Sequence, residues 1–345
     1  MMKRKTLTTR TLLAALMLCL SAMSSVTAQK SQNVYDKFRD RVPTNDGLLS
    51  EADEMKLGDE VHKQLLNPPQ QAQQEGQQQQ EQAKPLRLIQ GTALDAYVND
   101  LGQRLARTSK RPNIPWHFYV VDDKSINAFA TLGGHVYVHT GLIAQVQSEA
   151  QLASVIGHEI GHIVGRHGLE NVKRANSIKS QGPVILGTIL GAVLGGEGGA
   201  QLGNMAGSLI SGSQLMKHGR EAEREADYLG VYNMERAGYN TAGMTEMFGI
   251  LAEISKGGSG GLGSILASHP DPRERLQNTE VEIGQYLRGS NQRGTQNTDN
   301  FQRVKSGLPA ISSTSGPQPA GNRNTRPRDG GSSTTAPTIR RRPRP

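Results

Sequence analysis

The sequence predicts an α+β fold that is mainly helical, with a small sheet. Residues 94–106 repeat apolar side chains at the spacing of a helix with one buried stripe. Residues 148–168 have the pattern of a longer helix that opens with a Ser-led cap. Two short segments, 116–121 and 135–139, are rich in β-branched and aromatic residues, as strands are. Because the helical segments are much longer than the strands, we expect helices packed on a small sheet.

Much of the chain is not expected to belong to this core. Of the 345 residues, 35% are hydrophobic and 4% aromatic, while 40 are Gly and 16 are Pro. The net charge of +8 comes from the two ends, because four basic residues lie in the first ten positions and seven Arg lie within 323–345. The region between them is close to neutral, which argues against a folded nucleic-acid-binding surface and predicts no specific nucleic-acid partner.

Residues 1–28 have the layout of a secretory signal peptide, with a basic start, an apolar run and small residues ending at Ala28. The apolar run is about nine residues long, whereas a membrane span needs roughly 20, so a retained anchor is the weaker alternative. The single cysteine, Cys19, lies inside this segment. We therefore expect an exported, cysteine-free mature chain in the periplasm, with secretion as the alternative.

The remaining residues divide into four predicted parts. Residues 29–66 form an N-terminal helical segment whose helix begins after Ser50. Residues 67–85 are a Gln-rich flexible insert, and residues 86–288 form the main domain. Residues 289–345, rich in Arg, Pro, Gly and Ser, are predicted to be a disordered tail.

The predicted helix 148–168 contains two histidines spaced to share one metal ion. His158 and His162 are four residues apart, so both imidazoles project from one helix face. Zn²⁺ binds imidazole nitrogen readily, and one zinc per chain with a third protein ligand and an open position would activate water. Glu159, on the flank of that face, is the predicted general base. The pattern also arises by chance in helices, so a third ligand is needed.

Two candidates compete for that third ligand. His167 follows His162 by five residues, which on a continuing helix turns it about 140° away, so we interpret it as a polar helix-end residue. A third histidine at metzincin spacing would stand where Gly168 is. Glu223 and Asp227, four apart on a downstream helix, would supply an oxygen ligand and an acceptor for the N–H of a ligand imidazole. A solvated charged helix is the alternative for that segment.

Together these motifs resemble the zinc metallopeptidase family that includes HtpX, the CAAX prenyl endopeptidases and the periplasmic proteases BepA and LoiP. The resemblance covers about residues 48–285. The segments that carry it are Asn127-Ala128-Phe129, Gly133-Gly134, His158-Glu159-x-x-His162, Arg220-x-x-Glu223-x-Glu-Ala-Asp227, Ala237-Gly238-Tyr239 and Ser268-His269-Pro270.

The resemblance implies a zincin-like metallopeptidase domain with the small sheet packed on the active-site helix. It implies that His158, His162 and Glu223 are the zinc ligands, that Glu159 is the catalytic acid/base and that Asp227 supports a ligand imidazole. Asn127, Ala128 and Phe129 match the family's edge strand, along which an extended peptide substrate would bind by adding a strand.

His269 and Arg275 fall where family members place a loop and a helix near the metal. Our hypothesis is that one of them stabilises the oxyanion of the tetrahedral intermediate, or that His269 occupies the open zinc position in a latent state. A His-Pro turn and a surface arginine are the alternative.

Glycines recur at every fourth residue from 187 to 207 within the apolar stretch 183–210. This pattern predicts a close-packed helical hairpin over the active site, with a membrane-touching element or a homo-oligomer interface as alternatives. The five other histidines are interpreted as surface or strand residues. They are His62, His117, His135, His139 and His218. His135, Tyr137 and His139 share one strand face, which we expect to be solvated or to face a cleft.

The predicted function is that of an exported zinc endopeptidase that hydrolyses peptide bonds of unfolded or misassembled envelope proteins, in protein quality control. One alternative is a non-proteolytic, chaperone-like binding protein that retains the fold. Another is a polyanion binder that works through the Arg-rich tail, for which we expect at most weak attachment to membrane or cell-envelope anions.

Overall fold

The computed structural model describes residues 37–39, 41, 49–68, 84–171, 218–256, 269 and 272–308. The predicted signal peptide, most of the Gln-rich insert, the glycine-rich stretch 183–210 and the tail beyond 308 lie outside the described residues. Among the helices that are described, none is both long enough and apolar enough to span a membrane.

A four-stranded mixed sheet has the order β1-β2-β4-β3. The central strands β2 (His117–Val121) and β4 (His135–His139) run parallel. β1 (Leu88–Ile89) pairs antiparallel with β2, and β3 (Ala128–Ala130) pairs antiparallel with β4. β3 is therefore an edge strand of this sheet.

Helices make up most of the described chain, which confirms the predicted mainly helical α+β class. α1 (Glu51–Leu66) precedes β1, and α2 (Ala93–Arg107) lies between β1 and β2. The helices that follow β4 are α3 (Thr140–Gln145), α4 (Glu149–Val164), α5 (Arg220–Arg236), α6 (Ala242–Lys256), α7 (Pro272–Tyr286) and α8 (Asp299–Ser306).

The helix starts predicted from Ser-led caps are confirmed. The Ser50 hydroxyl accepts a hydrogen bond from the Asp53 backbone N–H at 3.1 Å, and Ser148 accepts one from Gln151 at 3.3 Å. The expected end of the second helix near Gly168 is wrong, because α4 ends at Val164. Arg166 has φ +56°, a left-handed conformation that a continuing α-helix does not contain.

α4 lies at the centre of the domain, and all of its side chains are buried. It packs against the sheet, α2, α5 and α6. Gly161 lets α4 approach α5 closely, because a Cβ added there would lie 2.6 Å from the Ala226 carbonyl oxygen. This close contact brings the acidic residues of α5 next to the histidines of α4.

The face of β4 that carries His135, Tyr137 and His139 is buried, so the expectation of a solvated or cleft-facing row is wrong. The reason is that α1 covers this part of the sheet. The His62 ring stacks on His135 with ring centroids 5.1 Å apart, and His62 Nδ1 lies 2.9 Å from the Tyr137 hydroxyl. Burial, together with nearby His117, lowers the pKa of His135 to about 4.

The expected start of disorder at residue 289 is also wrong. Residues 289–308 form turns and α8, and Phe301 is buried against Tyr97. Thr295 joins the segment to the loop after α5, since its N–H donates to the Gly238 carbonyl at 2.8 Å. One buried aromatic residue, together with backbone and side-chain hydrogen bonds to the rest of the domain, thus holds a segment whose overall composition is polar.

Candidate metal centre

Four buried side chains converge from three places in the chain. His158 and His162 come from α4, Glu223 from α5 and His269 from the segment before α7, and one donor atom of each lies within 4.8 Å of the others. The sequence predicts the first three as ligands and places His269 nearby. The structure brings all four together.

The Nε2 atoms of the two α4 histidines face each other and the α5 carboxylate. His158 Nε2 lies 3.0 Å from His162 Nε2 and 3.6 Å from Glu223 Oε2. His162 Nε2 lies 3.4 Å from Glu223 Oε1. The i, i+4 spacing on one helix face therefore directs both Nε2 atoms to one point, and leaves both Nδ1 atoms facing away from it.

His158 Nδ1 lies 2.8 Å from Asp227 Oδ1, where the sequence places an acceptor for a ligand imidazole. Arg275 donates to the same carboxylate from Nε and Nη2, at 2.8 and 2.7 Å, and its Nη1 lies 3.0 Å from Glu223 Oε2. Burial alone would raise the pKa of Asp227, but the charge and hydrogen bonds of Arg275 hold that pKa below its ordinary value. Arg275 thus neutralises two carboxylates beside the donor group.

His269 is buried against Glu223 and His158. Its Nδ1 is 3.0 Å from both oxygens of Glu223 and 3.4 Å from His158 Nε2. Its Nε2 is 3.8 Å from Glu159 Oε1. The pKa of Glu223 is well below its ordinary range, because the charges of His269 and Arg275 outweigh the effect of burial.

Glu159 follows His158 on α4 and is 2% exposed. Burial raises its pKa above the ordinary value for a glutamate. Beside it lies an apolar pocket to which α6 contributes Met244, Met247 and Phe248. A carboxylate with a raised pKa next to a candidate metal-binding group and an apolar pocket is suited to proton transfer.

Two histidines near the site are not identified by the sequence pattern. His167 is buried, with its Nδ1 2.9 Å from His162 Nδ1, because α4 ends at Val164 and the chain turns at Gly165 and Arg166 before helical structure resumes at residue 167. The His218 ring stacks on the His162 ring with centroids 3.8 Å apart, and burial lowers its pKa to about 3. The sequence spacing places His167 away from the ligand face only if α4 continues as a helix beyond Val164. No local motif identifies His218.

The segment Asn127-Ala128-Phe129 lies at the edge of the sheet, as predicted. The Asn127 carbonyl accepts from the His139 N–H at 3.0 Å, and Phe129 stacks on Tyr137 with centroids 4.7 Å apart. Phe129 therefore points to the face covered by α1. Since antiparallel pairing alternates, the backbone N–H and C=O groups of Ala128 and Ala130 point away from β4, toward the free edge.

The fold and the site together define a metallopeptidase. A helix with the His-Glu-x-x-His pattern, a glutamate from a second helix and an edge strand beside them are the parts of a zincin-like domain. The chain belongs to peptidase family M48, whose model matches residues 92–283. This confirms the resemblance derived from the sequence motifs.

Curated relatives match the same region. The chain is 31% identical over 202 residues to the Beta-barrel assembly-enhancing protease of Escherichia coli (strain K12), which is 57% of this chain and 40% of that protein. It is 32% identical over 170 residues to the Mitochondrial metalloendopeptidase OMA1 of Arabidopsis thaliana, or 49% of this chain and 32% of that protein.

The Metalloprotease YcaL of Escherichia coli (strain K12) is 30% identical over 198 residues, which cover 56% of this chain and 74% of that protein. By contrast, the chain spans about two fifths of the length of the beta-barrel assembly-enhancing proteases that it matches. The likeness to those proteins concerns the metallopeptidase domain.

Proposed function

We propose that this chain is a zinc-dependent endopeptidase, exported to the periplasm, that hydrolyses unfolded or misassembled polypeptides of the cell envelope. The observation that carries the proposal is the convergence of His158, His162, Glu223 and His269 beside the buried Glu159. The relatives named as a metalloendopeptidase and a metalloprotease support the same reaction class.

The donor set fits zinc. Imidazole nitrogens and a carboxylate oxygen in a four-donor cluster are the ligands that Zn²⁺ takes in catalytic sites. In this proposal His158, His162 and Glu223 hold one ion. When bound, zinc polarises the scissile carbonyl and lowers the pKa of water at the site.

Glu159 is proposed as the acid/base. Its carboxylate would accept the proton of the attacking water and pass it to the nitrogen of the leaving amine. The raised pKa that burial gives Glu159 suits both steps, because such a group accepts and releases a proton nearer neutral pH.

The geometry supports different roles for His269 and Arg275. The guanidinium of Arg275 is engaged by Asp227 and Glu223, so we assign it to holding these carboxylates in place rather than to the oxyanion. His269 Nδ1 lies among the metal donors, which favours the role of fourth ligand in a latent state. His269 would have to withdraw before a substrate carbonyl could take its place.

The proposed substrate is an extended backbone. A peptide added as a strand beside β3 would exchange hydrogen bonds with Ala128 and Ala130, and this mode of recognition requires an unfolded segment. The buried Asn127 Oδ1, which has no hydrogen-bond partner among the described residues, is a further acceptor at this edge. The apolar pocket beside Glu159 would take an apolar side chain of the peptide.

Export rests on the predicted signal peptide, and an envelope role is supported by the similarity to beta-barrel assembly-enhancing proteases. Membrane or envelope contact through residues 183–210 and the Arg-rich tail, and a homo-oligomer, stay predictions from the sequence. They concern residues outside the described ranges.

The proposal is tested with purified residues 29–345 and casein as an unfolded substrate. Cleavage is measured for zinc-loaded protein, for protein stripped with a chelator and for stripped protein with zinc restored. We expect cleavage in the first and third samples and its loss in the second. Equal cleavage in all three would exclude the zinc peptidase, and suppression of casein aggregation without any cleavage would favour the chaperone-like alternative.

A further inference from the structure

We propose that His167 and Glu225 are positioning residues that orient His162 for zinc and strengthen its binding. The inference rests on the proposed metal site but not on peptide cleavage. It assigns a role to His167, which competes for the third ligand position in the sequence, and to Glu225, for which the sequence predicts no role.

A continuous row of polar contacts leads away from His162. His162 Nδ1 lies 2.9 Å from His167 Nδ1, and His167 Nε2 lies 3.3 Å from Glu225 Oε2. The same Glu225 oxygen accepts from Arg41 Nη1 at 2.7 Å. His162, His167 and Glu225 are each 2% exposed, so these contacts are shielded from water.

The chemistry of the row permits one assignment of protons when a metal is bound. His162 Nε2 faces Glu223 and His158, so it would be the ligand atom, and the proton of a neutral imidazole must then lie on Nδ1. That N–H donates to His167 Nδ1, which leaves the proton of His167 on Nε2. The Nε2–H in turn donates to the carboxylate of Glu225.

That arrangement gives His162 Nδ1 and both ring nitrogens of His167 a hydrogen-bond partner. The tautomer of His162 is fixed with its lone pair toward the metal, and the ring cannot rotate without breaking a buried hydrogen bond. Metal-ligating histidines commonly donate their second N–H to a carboxylate or carbonyl. Here the acceptor is a second imidazole that a carboxylate supports.

The backbone turn at residues 165–166 brings the His167 ring into contact with His162. The His167 ring folds back over Gly165, where an added Cβ would lie 2.5 Å from His167 Nε2. Arg166, between them, has φ +56°, and its Nε lies 3.2 Å from Glu54 Oε2 in α1. The end of α4 is thus held in a turn that returns His167 to the ligand helix.

The two ligand histidines of α4 are supported from the same neighbouring helix. Asp227 contacts His158 directly, and Glu225 contacts His162 through His167. Both carboxylates lie on α5, which also supplies Glu223 to the donor group. One helix therefore provides a candidate ligand and the supports for two others.

The test measures the Kd for Zn²⁺ by competition with a chromophoric chelator, and the thermal stability of the zinc-free protein. His167→Phe keeps the ring volume but removes the acceptor, so we expect the Kd to rise about 10- to 100-fold. His167→Asn places an amide oxygen close to the position of Nδ1 and is expected to retain most of the affinity. Gly165→Ala, which displaces the ring, should weaken binding as His167→Phe does.

Glu225→Gln should raise the Kd by less than His167→Phe, while Glu221→Gln on the same helix is the control. Glu221 is half exposed and pairs with Lys37 and Arg224, so its substitution should leave the Kd unchanged. A wild-type Kd in both His167→Phe and Gly165→Ala would overturn the positioning role of His167. An equal rise of the Kd in His167→Phe and His167→Asn would also overturn it. A wild-type protein that binds no zinc would overturn the proposed function as well.

Discussion

Arg275 Nη2 lies 2.7 Å from Asp227 Oδ1, and the same carboxylate oxygen lies 2.8 Å from His158 Nδ1. Both Arg275 and Asp227 are buried. A buried carboxylate that contacts a candidate ligand histidine on one side needs a permanent countercharge on the other, because ionised groups are costly to remove from water. Arg275 supplies that charge to Asp227 and to Glu223.

Arg275→Met removes this countercharge and leaves two buried carboxylates close together. We expect the free energy of unfolding of the zinc-free protein to fall by about 3–5 kcal/mol, as measured by urea denaturation. Arg273→Met is the matched control, since Arg273 is exposed on the same helix and should cost no more than about 1 kcal/mol. Equal stabilities of the two variants would contradict the role given to Arg275.

His269→Ala separates a latent state from oxyanion stabilisation. If His269 fills the fourth metal position at rest, its removal should increase the initial rate of casein cleavage severalfold, because the site no longer has to open first. Slower cleavage at unchanged bound zinc would assign His269 to the transition state instead. Zinc content of each preparation is the control for loss of a donor.

Ala130→Pro tests strand addition at the edge of the sheet. Proline removes the outward N–H of Ala130 and leaves the pairing of Asn127 with His139 on the inner side. Loss of one substrate hydrogen bond should lower kcat/KM for an extended peptide about 2- to 10-fold. Ala130→Ser, which keeps the N–H, should cleave as the wild type does, and equal rates for both variants would exclude backbone pairing at this residue.

Gly58→Ala tests the contact between α1 and the turn that follows β3. An added Cβ would lie 2.3 Å from the Leu132 carbonyl oxygen, so the overlap should outweigh the helix propensity of Ala and lower the melting temperature. Among the described residues, no atom outside the nearby backbone of α6 lies within 4 Å of a Cβ added at Gly249, so Gly249→Ala should stabilise the protein by about 0.5–1 kcal/mol. If both Gly58→Ala and Gly249→Ala stabilised the protein, α1 would not be in close contact with this turn.

The parts of the site that sequence predicts are those encoded within one element. The spacing of His158 and His162 fixes their common face on any helix, and the cap at Ser148 fixes where that helix begins. The spacing of Glu223 and Asp227 likewise places both on one side of α5. Local periodicity and capping chemistry determine these features, so they can be found without a tertiary structure.

The parts that sequence does not predict depend on contacts between distant segments. His167 reaches His162 only because α4 stops at Val164, and His135 is buried only because α1 covers the sheet. The segment 289–308 is held by the buried Phe301 and by backbone and side-chain hydrogen bonds, which a composition argument cannot detect. In each case tertiary packing decides the environment of a residue whose local pattern is neutral.

The proposed role of Glu159 as the base of a zinc-dependent hydrolysis is tested most directly with Glu159→Gln. Bound zinc and casein cleavage are measured in the same preparation of this variant. Gln is nearly isosteric with Glu but cannot accept the proton of the attacking water. The predicted result is about one zinc per chain, as in the wild type, with kcat reduced by about 10²- to 10⁴-fold. Cleavage by Glu159→Gln at the wild-type rate with zinc bound would contradict it.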